Sequence, residues 1–289
     1  MIEIIGFGLA GACVALRLLE RGENFRITDD GQPGSTMVAA GLVNPVAGKN
    51  FEPSWKVAEY WEEAQPFYQE LDPNLFTPLP IYRLWRDEKD RAKFEQKREL
   101  LEPWIDQIDE SGVTWKRGGW INTRAFLQTA RARLAPYFSS QKASKTRIFC
   151  TGAKGLIAKN PTEIPHRSAK GEILTVHIPG WNESRILTRN GWLIPLGDDL
   201  YRVGATYEWD ELHHKPTQEG RQKIESILRS FTNLNFTIKD HVVGIRPIIN
   251  RSRPVILQEG DDWILNGLGS KGVIYAPGAT RELLEKILK

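Results

Sequence analysis

Cysteine is scarce in this chain: Cys13 and Cys150 are the only two among 289 residues. Two thiols, one in a predicted helix and one in a predicted strand, read as free, buried groups of a reducing, cytoplasmic compartment and not as a disulfide framework. Methionine is as rare, with two, and histidine numbers five. The adjacent His213 and His214 lie in a polar stretch, and no histidine stands at metal-site or Ser-His-Asp spacing, so no metal is expected. No apolar run reaches the roughly eighteen residues that a membrane span needs. The apolar N-terminus resembles a secretory leader only in part, because Glu3 replaces the basic flank and no cleavage site follows. Charge of either sign is also limited, since 39 basic residues oppose 36 acidic ones for a net +3. So mild a balance does not call for nucleic acid as a partner, although it leaves tRNA open. Oligomeric state is not encoded in any of these features.

What the chain does have is a dense opening. Ile2, Ile4 and Ile5 predict a buried strand, followed by Gly6-Phe7-Gly8-Leu9-Ala10-Gly11 and an apolar helix from Ala12 to Arg21 that stops at Gly22. A second strand over 25–28 ends on Asp29. In such a βαβ start, Gly6 allows the tight turn, Gly8 admits a pyrophosphate to the backbone, and Gly11 lets helix and strand pack closely. The helix start offers unpaired N–H groups to phosphates, and Asp29 is placed to accept from an adenosine ribose. Dinucleotide binding follows from the combination. Tryptophan is abundant, with ten; Trp55, Trp61, Trp85, Trp104, Trp115 and Trp120 crowd the middle and predict core or the lining of a broad apolar pocket.

Further along, 34–45 is a loop of small residues suited to close approach of a ligand. Helices are expected over 54–71, 123–134 and 217–231, and the charged stretch 86–101, with Asp87 and Arg91 at i,i+4, predicts a solvated helix face. The stretch 146–154 predicts a buried strand holding Cys150 and ending in a glycine turn. From Lys170 the pattern becomes short alternating strands, 172–177, 186–188, 192–195 and 201–207, which predict an antiparallel sheet. A strand at 263–265, a turn with Gly267, Gly269 and Gly272, and a last helix complete the chain. The fold class expected is α/β: a Rossmann-like cofactor domain assembled from discontinuous segments (1–45, 120–160 and 240–289), plus an α+β substrate domain (46–119 and 161–239) with an antiparallel sheet.

In that order and spacing, the blocks resemble the D-amino-acid oxidase and glycine oxidase family of FAD-dependent amine oxidoreductases. They are Gly6–Gly11 with Asp29, Thr36–Pro45, Cys150-Thr151-Gly152, Lys170-Gly171-Glu172, Trp192–Pro195, Val203-Gly204-Ala205-Thr206, Gly244-Ile245-Arg246-Pro247 and Gly269–Pro277. The resemblance implies that Gly6, Gly8 and Gly11 hold the FAD pyrophosphate and Asp29 the adenosine ribose. It implies that Thr36, Ala40 and Gly41 pass the phosphates and flavin, that Thr151 and Gly152 close over the adenine half, and that backbone N–H groups of Gly269, Lys271, Gly272 and Val273 face the flavin pyrimidine. No cysteine follows Cys150, where relatives attach flavin covalently, so non-covalent FAD is expected. Arg246 matches the family arginine that pairs with a substrate carboxylate; Arg253 is a weaker candidate.

The activity implied is oxidation of the C–N bond of a small amino acid or N-substituted glycine, by hydride transfer to flavin N5 and hydrolysis of the imine. Two departures stand out. Trp192 replaces the aromatic hydroxyl that the family usually sets over the substrate, which points to a larger or secondary amine. The stretch 137–145 is short and polar where relatives carry extra strands near the adenine, which marks a compact variant. Two other readings remain open. Gly269-Ser270-Lys271-Gly272 resembles the turn of tRNA-modification oxidases acting on a carboxymethylaminomethyl uridine, and the short 137–145 stretch is also compatible with a non-catalytic protein on the FAD fold.

Overall fold

The apolar Ile2–Ile5 segment becomes an interior strand of a five-stranded sheet in the computed structural model of the protein, which describes residues 1–139, 145–249 and 253–288. Phe25–Thr28 and Thr146–Phe149 flank it, both parallel. Asp262–Asn266 continues the parallel set beyond Thr146–Phe149, and Val255–Glu259 closes that edge antiparallel. One sheet therefore gathers segments from both ends of the chain and its middle. Helix α1 (Leu9–Glu20) connects the first two strands, and its Ala12, Cys13, Val14, Ala15 and Leu18 are wholly buried. Among the described residues seven helices follow: α2 (Val57–Leu71), α3 (Glu88–Glu95), α4 (Arg98–Leu101), α5 (Thr123–Arg133), α6 (Gly152–Ile157), α7 (Gln218–Arg229) and α8 (Gly272–Ile287).

Helix α8 packs on α1 and α2. Gly278 makes the approach to α2 possible, because a Cβ there would lie 2.4 Å from the Tyr60 ring. Pro277 sits inside α8 and cannot donate to the carbonyl of Val273, four residues back. The Tyr68 hydroxyl donates to that carbonyl instead, at 3.0 Å.

The second layer is an eight-stranded sheet in the order Thr237–Arg246, Ala169–His177, Leu200–Gly204, Trp192–Gly197, Ile186–Thr188, Ile81–Leu84, Gly112–Trp115, Ile105–Ile108. It is mixed, because Ile186–Thr188 and Ile81–Leu84 run parallel while the other pairs are antiparallel. Helix α7 covers one face, with Ile224 and Leu228 against Leu174, Val176 and Val203. A three-stranded sheet of Leu42–Val43, Gly119–Ile121 and Phe76–Pro78 sits apart from both. The expected fold class holds: a Rossmann-like region from discontinuous segments beside an α+β region.

Local details differ from the sequence expectation. Helix α1 starts at Leu9, three residues early, because Gly8 already serves as its N-cap. Cys150 follows its strand, and the glycine turn after it is the short helix α6. The strand expected over 201–207 stops at Gly204. The charged stretch 86–101 breaks into two helices and is not wholly solvated: Asp90 is buried, accepting from Arg83 Nη2 at 3.1 Å and Arg86 Nε at 2.9 Å. Asp87 caps α3 by accepting the Asp90 N–H at 2.7 Å. Of the short stretch 137–145, residues 140–144 lie outside the described residues, and Phe138 forms a parallel bridge to Ile27.

Candidate active site

A cavity of about 2480 Å³ is lined by residues of both large sheets and of the loops between them. That exceeds the roughly 300–1,000 Å³ of ordinary small-molecule pockets and suits an elongated ligand with room beside it. Every residue assigned from the sequence to cofactor or substrate lines this cavity except Gly11, which works from behind. A Cβ on Gly11 would lie 2.0 Å from the carbonyl oxygen of Gly6, so only glycine lets α1 start so close to the first strand.

At one end lies the phosphate-type turn. Gly6 has φ +96°, and Cys150 packs beneath it. Gly8 leaves its Cβ space open, with Thr36 Oγ1 nearest at 3.6 Å. Thr36 Oγ1 accepts the Leu9 N–H at 3.1 Å, while the first turn of α1 carries no acid and no side-chain cap. Beyond the Leu9 N–H taken by Thr36, the positive end of this helix suits a pyrophosphate. Asp29 closes the second strand; it accepts from Phe7 N at 3.0 Å and pairs with Arg131 at 2.7 Å. Arg131 lies over the rings of Phe7 (4.9 Å) and Phe138 (4.5 Å). Thr151 Oγ1 is buried without a hydrogen-bond partner among the described residues, beside Gly152 at the start of α6. An orphaned hydroxyl on the cavity wall is what a bound nucleotide's polar edge would satisfy.

The loop carrying Ala40 and Gly41 forms one wall. Gly41 has φ +69°, and a Cβ there would lie 1.8 Å from the Ile121 carbonyl oxygen. Opposite, the Gly269–Val273 turn leads into α8, whose N-cap Lys271 provides no side-chain cap. Gly269 N donates to Pro247 O at 3.0 Å, joining this turn to the segment that bears Arg246. The Lys271 amine lines the cavity without an ion pair among the described residues; burial pushes it down to about 8, with Glu52 acting weakly the other way.

Arg246 ends the Thr237–Arg246 strand. Its Nη1 donates to Thr206 O at 3.1 Å, and no carboxylate pairs with it among the described residues. Desolvation lowers its pKa, while the Tyr207 hydroxyl opposes the shift. Trp192 lies half-buried on the neighbouring wall, opposite Gly204, whose Cβ would meet the indole at 3.0 Å. Arg253 is exposed at the rim, 5.7 Å from the Trp55 ring centroid. His214 also lines the cavity, but no group of three metal-ligating side chains forms among the described residues.

Residues 137–286, half of the chain, match the DAO family of FAD dependent oxidoreductases. The chain belongs to this family. Iminodiacetate oxidase from Chelativorans sp. BNC1 is similar in fold, with a TM-score of 0.79 at 19% identity over 100% of this chain and 95% of that one. Glycine oxidase from Geobacillus kaustophilus gives 0.81 at 15% identity over 99% and 94%. In sequence, the chain is 23% identical to the tRNA 5-methylaminomethyl-2-thiouridine biosynthesis bifunctional protein of Idiomarina loihiensis, over 96% of its own length. It spans about half of that relative, 54%. The residues fit the FAD of the DAO family: the open Cβ space at Gly8, an uncapped helix end and an orphaned Thr151 hydroxyl all face one cavity. Sequence reasoning missed Arg131, which lies in the expected 123–134 helix, and missed the contacts of Gly171 and Tyr207 with Arg246. Only the cross-strand register brings Gly171 and Tyr207 to it.

Proposed function

We propose that the protein oxidises the C–N bond of a small amino acid or N-substituted glycine, using non-covalently bound FAD. The observation that carries this reading is Arg246, a shielded guanidinium on the cavity wall with no acidic partner among the described residues. A shielded cation left unpaired is costly, and a substrate carboxylate completes it through two parallel N–H···O bonds that lysine cannot supply. When bound, FAD supplies the hydride acceptor at flavin N5.

The chain's own residues do the rest. Gly6, Gly8 and the start of α1 would hold the pyrophosphate, with Gly11 letting the helix start lie close to the strand; Asp29 would hold the ribose, and Thr151 with Gly152 would flank the adenine half. Thr36, Ala40 and Gly41 bound the path of the phosphates; the N–H groups of Lys271, Gly272 and Val273 would stabilise negative charge at the flavin pyrimidine, whereas that of Gly269, also expected there, is committed to Pro247 O. Trp192 and Arg246 orient the substrate so that its neutral amine and α-C–H meet the acceptor; water then hydrolyses the imine to a carbonyl product. Non-covalent attachment is supported by the thiols: Cys13 is buried inside α1, and burial pushes Cys150 up to about 12, far from a reactive thiolate.

The absorption spectrum of the purified protein, followed by anaerobic titration with glycine, sarcosine and D-amino acids, tests the reading. Bound flavin that bleaches with one of these amines is the expected result. Protein that takes up no added FAD overturns it, and flavin that no amine reduces points to the non-catalytic alternative.

A second reading, oxidation of an amine carried on a tRNA wobble uridine, is favoured by the match to the Idiomarina loihiensis protein over nearly the whole chain. Filter binding of tRNA across a salt titration distinguishes it, because phosphate contacts impose a steep negative slope.

A further inference from the structure

We infer that Gly171 and Tyr207 form a slot that fixes the guanidinium plane of Arg246, which makes Tyr207 a positioning residue of the carboxylate site. The inference rests on the reading of Arg246 as that site. On one side of the guanidinium lies bare backbone: a Cβ on Gly171 would stand 2.1 Å from Nη1, 2.2 Å from Nη2 and 2.3 Å from Cζ. On the other lies the Tyr207 ring, whose centroid is 4.3 Å from Cζ. Thr206, the neighbour of Tyr207, accepts the Nη1 hydrogen bond at 3.1 Å.

The slot is braced from both directions. The strap bearing Tyr207 is hydrogen-bonded to the Ala169–His177 strand on either side of Gly171: Lys170 N to Glu208 O at 2.8 Å, Glu208 N to Lys170 O at 3.0 Å, and Glu172 N to Thr206 Oγ1 at 2.9 Å. Behind Tyr207 stands Trp209, stacked at 5.9 Å and 30°, and the Arg167 guanidinium covers Trp209 at 4.9 Å. Tyr207 and Trp209 are each 42% exposed, so neither ring is held there by the demands of a core.

A flexible arginine loses side-chain freedom when it grips a ligand, and one already held between two walls has lost it in advance. Aromatic contact also steadies the cation where water is partly excluded. With both faces covered and one of five N–H donors committed to Thr206, the remaining donors lie along the edge of the plane, where a planar carboxylate meets them two at a time.

The test uses the FAD-loaded protein and an unreactive carboxylate, methoxyacetate, followed by its perturbation of the flavin spectrum, together with steady-state kinetics on sarcosine. Tyr207→Ala is expected to raise the Kd for methoxyacetate and the KM for sarcosine about tenfold, the order of a partly desolvated cation–π contact. FAD affinity and kcat should stay within about twofold in that variant. Tyr207→Phe should recover most of the loss, because the ring and not the hydroxyl covers Arg246. Gly171→Ala should expel the guanidinium and weaken methoxyacetate by more than about a hundredfold with FAD still bound. Wild-type affinity in Tyr207→Ala overturns the slot alone, as does a Phe variant no better than Ala. A wild-type holoprotein that binds no carboxylate at all overturns the reading of Arg246, and the slot with it.

Discussion

Lys271 is a half-buried amine without an ion pair among the described residues, and its cost depends on pH. Burial holds it at about 8, against an ordinary value of 10.5. Below pH 8 the folded and unfolded chains both carry the proton, and the full penalty for burying charge is present. Between about 8 and 10.5 the unfolded chain holds more protons, so stability rises with pH; above that window the penalty is gone. Lys271→Met should therefore be more stable than the wild type at pH 7, by up to about 3 kcal/mol in the FAD-free protein. The gap should close by pH 10.5 in urea denaturation; a difference that does not change with pH contradicts the assignment. At this scale the sequence was partly legible. Arg246 stood out because Gly244-Ile245-Arg246-Pro247 is a contiguous block. Its holders did not, because Gly171 and Tyr207 are distant in the chain and meet it only through strand pairing and the strap after Leu200–Gly204.

Helices and strands were more legible than the charges on them. Period and turn residues anticipated α1, α2, α5 and α7 to within a few residues, the presence of α8, and the Ile186–Thr188 strand at its observed bounds. The stretch 86–101 misled because counting charges says nothing about what faces them. Arg83, in the neighbouring Ile81–Leu84 strand, reaches over to make Asp90 a buried acceptor; in spite of burial, the hydrogen bond from Arg86 and the charge of Arg83 lower the Asp90 pKa. Removing that acceptor leaves Arg83 buried and uncompensated. Asp90→Ala should cost about 3–5 kcal/mol, as other broken buried pairs do. The midpoint of urea unfolding reads this directly, and a loss below about 1 kcal/mol would mark the pair as solvent-screened.

For the whole molecule, the decisive feature is that one parallel sheet draws on residues 2–5, 25–28, 146–149 and 262–266, and that α8 seals it from the far end of the chain. Val273, Ile274, Tyr275, Ala276, Ala279, Leu283 and Leu284 of α8 are all buried, in the core cluster that also holds α1. Deleting residues 272–289 should abolish the cooperative thermal transition seen by circular dichroism, because α1 and α2 lose their shared neighbour. A shortened chain that still melts cooperatively would show that the sheet stands without α8. The sequence by itself determined the opening βαβ unit, its glycine turn and Asp29 at the end of its second strand. These are local, since each depends on neighbours within a few residues or a single βαβ unit. The tertiary structure alone decided that Arg131 pairs with Asp29, that Asp90 is buried, and that Arg246 lies between Gly171 and Tyr207. Each of those contacts joins separate elements, and only packing and strand register, not spacing along the chain, set which side chains meet.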